Sequence, residues 1–128
     1  MNSIRVLIVD DNKDAAASLA RLLGALGKET RVAHDGSAAL AAFAEFQPQV
    51  MFLDLGLPGM DGVETANRIR ALPEGKDCVF IALTGWGEQE DRRRTSEAGF
   101  HAHLLKPLKV DQLEAALQTL PADRSSAG

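Results

Sequence analysis

Three aspartates that follow short apolar runs form the strongest chemical signal in the sequence. Asp10 and Asp11 come directly after the run at residues 4–9, and Asp54 comes directly after the run at residues 50–53. Short apolar runs separated by helical patterns predict buried parallel strands. Ligands bind beside the carboxyl ends of such strands, so we expect the three carboxylates to meet there. Crowded carboxylates repel each other unless they share a proton or a cation, and a site made of oxygen donors favours Mg²⁺.

Two later strand ends add a hydroxyl and an ammonium group to this set. Thr84 follows the apolar run at residues 78–83, and Lys106 follows the run at residues 102–105. The combination suits phosphoryl transfer, because a carboxylate can attack phosphorus while cations neutralise the transferring group. A lone aspartate at a strand end is more often a turn or cap residue, and a lone threonine or lysine there carries little weight. The order and spacing of the whole set therefore support the interpretation.

Strand and helix patterns alternate about five times along the chain, which predicts an α/β fold with a doubly wound parallel sheet. The first and last helices show apolar residues at helical spacing. These residues are Leu19, Leu22, Leu23 and Leu26 in the first helix, and Val110, Leu113, Leu117 and Leu120 in the last. The fourth helix, predicted at residues 88–98, has almost no apolar residue with which to dock. We expect it to be weakly anchored, although a merely exposed helix explains the same pattern.

Length and composition limit the function classes. The 128 residues predict one domain over residues 1–121, followed by a disordered polar tail at 122–128. Fourteen basic against eighteen acidic residues give a net charge of −4, which argues against direct binding of nucleic acid. No apolar stretch approaches the roughly 20 residues that span a bilayer, so no membrane insertion is expected. The single cysteine, Cys78, excludes an internal disulfide and fits a reducing cytoplasm.

Four motifs together resemble the response-regulator receiver domain of two-component signalling, over residues 4–120. They are Val-Asp-Asp-Asn at 9–12, Leu-Asp-Leu-Gly-Leu-Pro-Gly-Met-Asp-Gly at 53–62, Ala-Leu-Thr-Gly at 82–85 and Leu-Lys-Pro at 105–107. The resemblance implies a flavodoxin-like (βα)5 fold, with a five-stranded parallel sheet in the order 2-1-3-4-5. It implies a cytoplasmic phosphoprotein that takes a phosphoryl group onto Asp54 from a phosphohistidine of a sensor histidine kinase or histidine phosphotransfer protein. Such a module is not an enzyme beyond its own phosphorylation and dephosphorylation.

The same resemblance assigns roles to individual residues. It gives the Mg²⁺ ligands as four oxygen donors: Asp10 largely through water, Asp11, Asp54 and the backbone carbonyl of Gly56. Thr84 and Lys106 would contact the incoming phosphoryl oxygens. The Lys106–Pro107 peptide would be cis, a form that about 5–6% of X–Pro bonds adopt in folded proteins.

One position departs from the family pattern and concerns the switch. Receivers usually carry Tyr or Phe three residues before the lysine, and this chain has His103 there. A smaller, titratable ring can still respond to Thr84, but a surface histidine without a signalling role explains the residue equally well. The output implied is contact with a downstream protein target through the face formed by the fourth helix, fifth strand and fifth helix. A homodimer that forms through this same face fits the resemblance as well.

Three alternatives compete with this interpretation. A degenerate receiver would bind partners without phosphorylation, but the intact acidic set argues against it. A Mg²⁺-dependent phosphohydrolase with an aspartyl intermediate usually has a second carboxylate two residues beyond the nucleophile, and that position is Gly56. A flavin-binding module needs a neutral phosphate cradle after the first strand, whereas residues 10–13 at that place are acidic.

The residues of these motifs also resemble those of receivers attached to hybrid sensor kinases. Either such a module or a free single-domain regulator fits the sequence.

Overall fold

Five parallel strands form the centre of the protein. The computed structural model describes residues 4–57, 59–85, 95–106 and 108–120. Within these ranges the strands are β1 (Arg5–Val9), β2 (Glu29–Ala33), β3 (Val50–Asp54), β4 (Val79–Thr84) and β5 (Ala102–Leu105). They pair in the order β2-β1-β3-β4-β5, with every pairing parallel. The predicted flavodoxin-like sheet order is therefore confirmed.

A polar residue precedes the first turn of each described α-helix. These helices are α1 (Lys13–Ala25), α2 (Gly36–Phe46), α3 (Gly62–Arg70) and the C-terminal helix (Val110–Gln118), with a short 3-10 turn at Pro73–Gly75. Asn12, Asp35 and Asp61 cap the first three helices, and each side chain accepts a backbone N–H from the residue three positions later. Such caps satisfy donors that the helix itself leaves unpaired. Among the described residues, no helix is long and apolar enough to cross a membrane.

Alternate residues of the central strands pack on opposite faces of the sheet. Leu7 and Val9 of β1 lie in a cluster with α2 and α3, whereas Val6 and Ile8 lie in a second cluster with α1 and the C-terminal helix. This alternation follows from the pleat of a strand, which directs successive side chains to opposite faces. Because helices cover both faces, the central strands are apolar except at their end residues. Polar chemistry is therefore left to the strand ends.

The first turn of the C-terminal helix differs from the predicted packing. Leu113 is fully buried, and Leu117 and Leu120 pack partly against the same cluster. Val110 is 49% exposed, so its assignment to the apolar stripe was wrong. Val110 is the first residue of the helix, and helical side chains lean toward the N-terminus. This lean toward the helix start accounts for the exposure of its side chain.

Part of the predicted fourth helix falls within the described residues. Residues 95–97 are helical, and residues 98 and 99 form a turn. The remaining residues of that predicted helix, 88–94, lie outside the described ranges, as do Pro107 and the predicted tail at 122–128. Thr95 is 3% exposed, and its carbonyl accepts the N–H of Phe100 at 2.9 Å. Residues 95–99 are thus anchored to the rest of the domain by the buried side chain of Thr95.

Candidate metal and phosphoacceptor site

Two neighbouring strands deliver three carboxylates to one edge of the sheet. Asp10 and Asp11 follow β1, and Asp54 is the last residue of β3. The two strands pair with Val9 opposite Leu53, so the residues that follow them lie side by side. One carboxylate oxygen from each aspartate lies within 4.8 Å of the others. The structure therefore brings together all three acidic residues that the sequence singles out.

Backbone donors hold the two buried carboxylates in place. Asp10 and Asp54 are 2% and 9% exposed, whereas Asp11 is exposed. Asp10 Oδ1 accepts the Asn12 N–H at 3.0 Å, and Asp54 Oδ1 accepts the Gly56 N–H at 2.9 Å. Each bond joins a side chain to the backbone two residues later, a local turn that aspartate favours. The second oxygen of each carboxylate stays available for a cation.

Lys106 supplies that cation from the end of β5. Its Nζ donates to Asp10 Oδ2 at 2.8 Å and to Asp54 Oδ2 at 3.1 Å. Its backbone N–H bonds the Thr84 carbonyl at 2.7 Å, which fixes Lys106 beside the end of β4. Three carboxylates (−3) and one ammonium (+1) leave two negative charges in the cluster. A divalent cation with a preference for oxygen matches both this charge and this donor chemistry.

Burial and charge move two pKa values in this cluster. Burial raises the pKa of Asp10 above its ordinary 3.8, although the hydrogen bond from Lys106 acts in the opposite direction. Burial alone would lower the pKa of Lys106, but hydrogen bonds to Asp10 and Asp54 outweigh it and raise that pKa above 10.5. The ammonium is therefore held charged, whereas the Asp10 carboxylate is disfavoured until a further cation compensates it.

The raised pKa of Asp10 predicts a gain in stability when its charge is removed. A group whose pKa is raised by folding adds stability below its unfolded value, and that stability is lost as pH rises through the folded value. At neutral pH the carboxylate is thus the costly form, and Asn imitates the protonated one. We expect Asp10→Asn to raise the midpoint of thermal unfolding in EDTA by roughly 4 °C, the shift that about 1 kcal/mol produces in a domain of this size.

The matched control for this measurement is Asp14→Asn. Asp14 lies exposed in the first turn of α1, where a negative charge suits the helix dipole, so losing it should leave the midpoint unchanged or slightly lower, opposite to the effect of Asp10→Asn. Saturating Mg²⁺ should reverse the order, because it stabilises the wild type more than Asp10→Asn. An unchanged or lower midpoint for Asp10→Asn in EDTA would contradict the electrostatic account of the cluster.

Thr84 and His103 meet beside this cluster. Thr84 is the last residue of β4 and is 2% exposed, and its Oγ1 lies 2.7 Å from His103 Nε2. His103 lies on β5, opposite Ala82 of β4. Its Nδ1 lies 3.3 Å from Oγ1 of Thr95. The histidine at the predicted switch position is thus in direct contact with the predicted phosphate-binding threonine, while its switching role stays a prediction.

Two residues at this edge of the sheet received no role from the sequence. His34 Nδ1 donates to the backbone carbonyl of Asp10 at 3.0 Å and so supports the loop that carries the first two carboxylates. Thr95 contacts the His103 ring from the helical segment. Neither contact has a local sequence signal, because each joins elements whose apolar patterns say nothing about these polar side chains.

A family model for the response regulator receiver domain matches residues 6–118. An uncharacterized 14.6 kDa protein of Leptolyngbya boryana is 37% identical over 109 residues, which cover 85% of this chain and 82% of that protein. The transcriptional regulatory protein PrrA of Mycobacterium tuberculosis is 36% identical over 98% of this chain and 53% of its own length. The virulence sensor protein BvgS of Bordetella pertussis is 34% identical over 98% of this chain and 11% of its own length. The chain therefore spans only part of the two larger relatives.

Solved structures agree with these matches. A response regulator from Chloroflexus aurantiacus superposes with a TM-score of 0.86 at 31% identity, covering 91% of this chain and 96% of its own. The chemotaxis response regulator CheY4 of Vibrio cholerae gives a TM-score of 0.84 at 27% identity, covering 91% and 98%. Since the family model extends over most of the chain and the fold agrees with these neighbours, the chain belongs to the response regulator receiver domains, which are signalling modules of two-component systems.

Proposed function

We propose that the chain is the phosphoacceptor of a two-component phosphorelay and that Asp54 receives the phosphoryl group. The donor in this proposal is a phosphohistidine of a sensor histidine kinase or of a histidine phosphotransfer protein. The observation that carries the proposal is the Lys106 ammonium, which lies 3.1 Å from Asp54 Oδ2 at the edge of the sheet. An anionic phosphoryl group can approach a carboxylate only where positive charge offsets their repulsion. Lys106 supplies that charge beside Oδ2 of Asp54.

The proposed reaction moves one phosphoryl group between two proteins. A carboxylate oxygen of Asp54 forms a bond to phosphorus while the P–N bond of the phosphohistidine breaks. The electron pair of that bond stays with the imidazole, which leaves as a neutral ring when its other nitrogen carries a proton. The product is an acyl phosphate on Asp54. Lys106 and the Thr84 hydroxyl donate hydrogen bonds to the phosphoryl oxygens, where the transition state concentrates negative charge.

Mg²⁺ belongs to the proposed site, and the residues present fit it. The proposed ligands are all oxygen donors: Asp10 through water, Asp11, Asp54 and the backbone carbonyl of Gly56. When bound, the ion offsets the charge that a phosphoryl group brings to the carboxylates. A Cβ at Gly56 would lie in van der Waals contact with the proposed acceptor, 3.5 Å from Asp54 Oδ1. The Gly56 N–H already fixes that carboxylate oxygen, so Gly56 serves the acceptor as well as the ion.

The proposed output is a change in protein contacts. By analogy with other phosphorylated side chains, the acyl phosphate adds about −1.5 to −2 charge units. Thr84 moves toward this charge, and His103 and the segment at residues 95–97 respond to that movement. The contact face includes β5 and the C-terminal helix, where Leu105 and Val110 are exposed. A downstream protein or a second copy of the chain binds this face, and neither nucleic acid nor membrane insertion has a part in the proposal.

A cytoplasmic location and a receiver unit over residues 1–121 complete the proposal. The free cysteine supports the location, because thiols stay reduced in that compartment. Burial raises the pKa of Cys78 to about 12, so this thiol stays neutral and unreactive. Cys78 lies in the core cluster that includes Phe80 of β4 and Ile69 of α3, so it serves as a small apolar side chain.

The proposal is tested by incubating the purified chain with acetyl phosphate. We expect intact mass spectrometry to show one added phosphate in Mg²⁺ and none in EDTA. Hydroxylamine should remove the phosphate, since it cleaves acyl phosphates and leaves phosphoserine and phosphothreonine intact. A chain that stays unmodified with acetyl phosphate and with a phosphorylated histidine phosphotransfer protein would instead be a degenerate receiver. Turnover of phosphate monoesters would point to a phosphohydrolase.

A further inference from the structure

The His103 ring lies between two buried hydroxyl groups. On one side, Nε2 is 2.7 Å from Thr84 Oγ1, and on the other side, Nδ1 is 3.3 Å from Thr95 Oγ1. The two threonines are 2% and 3% exposed. The three side chains therefore form a hydrogen-bonded path from the end of β4 to the helical segment at residues 95–97. In such a partly buried path, the direction of each hydrogen bond affects the next.

The number of protons limits what this path can do. A hydroxyl carries one proton, so Thr84 can donate only one hydrogen bond. If Nε2 lacks a proton, Thr84 donates to the ring and presents oxygen lone pairs to an arriving phosphoryl group. If Nε2 carries a proton, the ring donates to Thr84, whose own proton remains for a phosphoryl oxygen. Only the second arrangement lets Thr84 act as a donor in phosphoryl binding.

We propose that His103 is a positioning residue that donates from Nε2 to Thr84 and thereby orients the Thr84 proton toward the phosphoryl group. Thr95 is compatible with this arrangement, because its Oγ1 lies 3.3 Å from Nδ1, and a hydroxyl that donates to Nδ1 keeps the ring proton on Nε2. The inference rests on the proposed function of Asp54. It assigns the ring a polar task that an aromatic hydrocarbon ring cannot perform.

The strand register explains why a histidine reaches Thr84 in this way. Thr84 pairs with Leu105, and Ala82 pairs with His103, so His103 lies two pairs before the end of the β4–β5 ladder. Thr84 and Ala82 are two residues apart and point to the same face of the sheet. His103 shares that face because it is directly opposite Ala82. A movement of Thr84 toward phosphate must therefore stretch or redirect its bond to His103. The His103 ring then transmits that change to its contact with Thr95.

Substitutions at His103 separate a polar role from a packing role. His103→Phe keeps a ring of similar size without a donor, whereas His103→Gln restores an amide N–H near the place of Nε2. We expect phosphorylation of Asp54 by acetyl phosphate in Mg²⁺ to slow about fivefold in His103→Phe, the effect of one neutral hydrogen bond. His103→Gln should return to within about twofold of wild type. The Phe substitution should add nothing in a Thr84→Val background, because its effect passes through the hydroxyl.

His101→Phe is the matched control on the same strand edge. His101 Nε2 lies 2.9 Å from Thr119 Oγ1, so this histidine also contacts a threonine but lies away from Asp54. We expect the wild-type phosphorylation rate for His101→Phe. A wild-type rate for His103→Phe, or a full additional loss in Thr84→Val, would overturn the inference even though Asp54 is phosphorylated.

The ring protons can be observed without any phosphorylation. Two-bond ¹H–¹⁵N spectra of the wild type should show a protonated Nε2 for His103, and spectra of Thr95→Val should show more of the Nδ1-protonated tautomer. A wild-type spectrum with Nε2 unprotonated would overturn the inference. Absence of phosphate on the wild type would instead contradict the proposed function, and the spectra would still report the arrangement of the protons.

Discussion

Asp54→Asn is expected to abolish phosphorylation, because an amide is not a nucleophile toward phosphorus. Asn has nearly the same shape as Asp, and its Oδ1 can still accept the Gly56 N–H that lies 2.9 Å from the carboxylate in the wild type. The substitution therefore removes the attacking group with little change in the surrounding loop. We expect intact mass spectrometry to show one phosphate on the wild type and none on Asp54→Asn after the same incubation with acetyl phosphate and Mg²⁺.

Asp35→Asn is the matched control for this experiment. Asp35 caps α2 through its side chain, and Asn is an equally good residue at that position, so this variant should fold normally. It should gain one phosphate, as the wild type does. A phosphate on Asp54→Asn that hydroxylamine removes would show that another carboxylate is the acceptor.

Lys106→Met is expected to slow phosphorylation about 100-fold, because a preorganised donor to developing charge contributes on that scale. The same change should leave Mg²⁺ affinity unchanged or increase it. In the wild type the ammonium occupies one oxygen each of Asp10 and Asp54, and it repels a second cation. Removing it frees both oxygens and leaves the cluster more negative. Time-resolved mass spectrometry gives the rate, and isothermal titration calorimetry gives the Mg²⁺ affinity.

Lys76→Met is the control for the loss of a positive charge. Lys76 is exposed and precedes β4, so it lies at the edge of the sheet opposite the carboxylates. Its rate and Mg²⁺ affinity should match the wild type. A Lys106→Met protein that is phosphorylated at the wild-type rate would show that the ammonium is a structural partner of the carboxylates and has no part in the transfer.

The strand ends of the site were predictable because the sequence changes character abruptly there. The apolar run before Asp54 ends in a carboxylate, and the run before Thr84 ends in a hydroxyl, with no intervening polar residue. Such runs fix the residues that leave a covered sheet at its open edge. The order of the strands came from the family resemblance, since apolar periodicity alone does not say which strands pair.

The contacts around His103 could not be predicted, for a physical reason. Its two ring nitrogens point to residues from different elements, and no periodic pattern relates those residues to each other. Thr95 belonged to a predicted helix with almost no apolar residue, yet it is buried through polar contact. Val110 shows the converse error, because a helical stripe predicts a face and not the place where the underlying sheet ends.

The contact between Lys106 and Asp10 joins residues 96 positions apart in the chain. A link of this span closes only after the intervening strands have paired, since the ordering of so long a loop has to be offset by earlier contacts. We therefore expect the charged pocket to be among the last features completed during folding. A nascent or truncated chain that stops before β5 lacks the ammonium, so we expect the proposed acceptance of phosphate only in the finished domain.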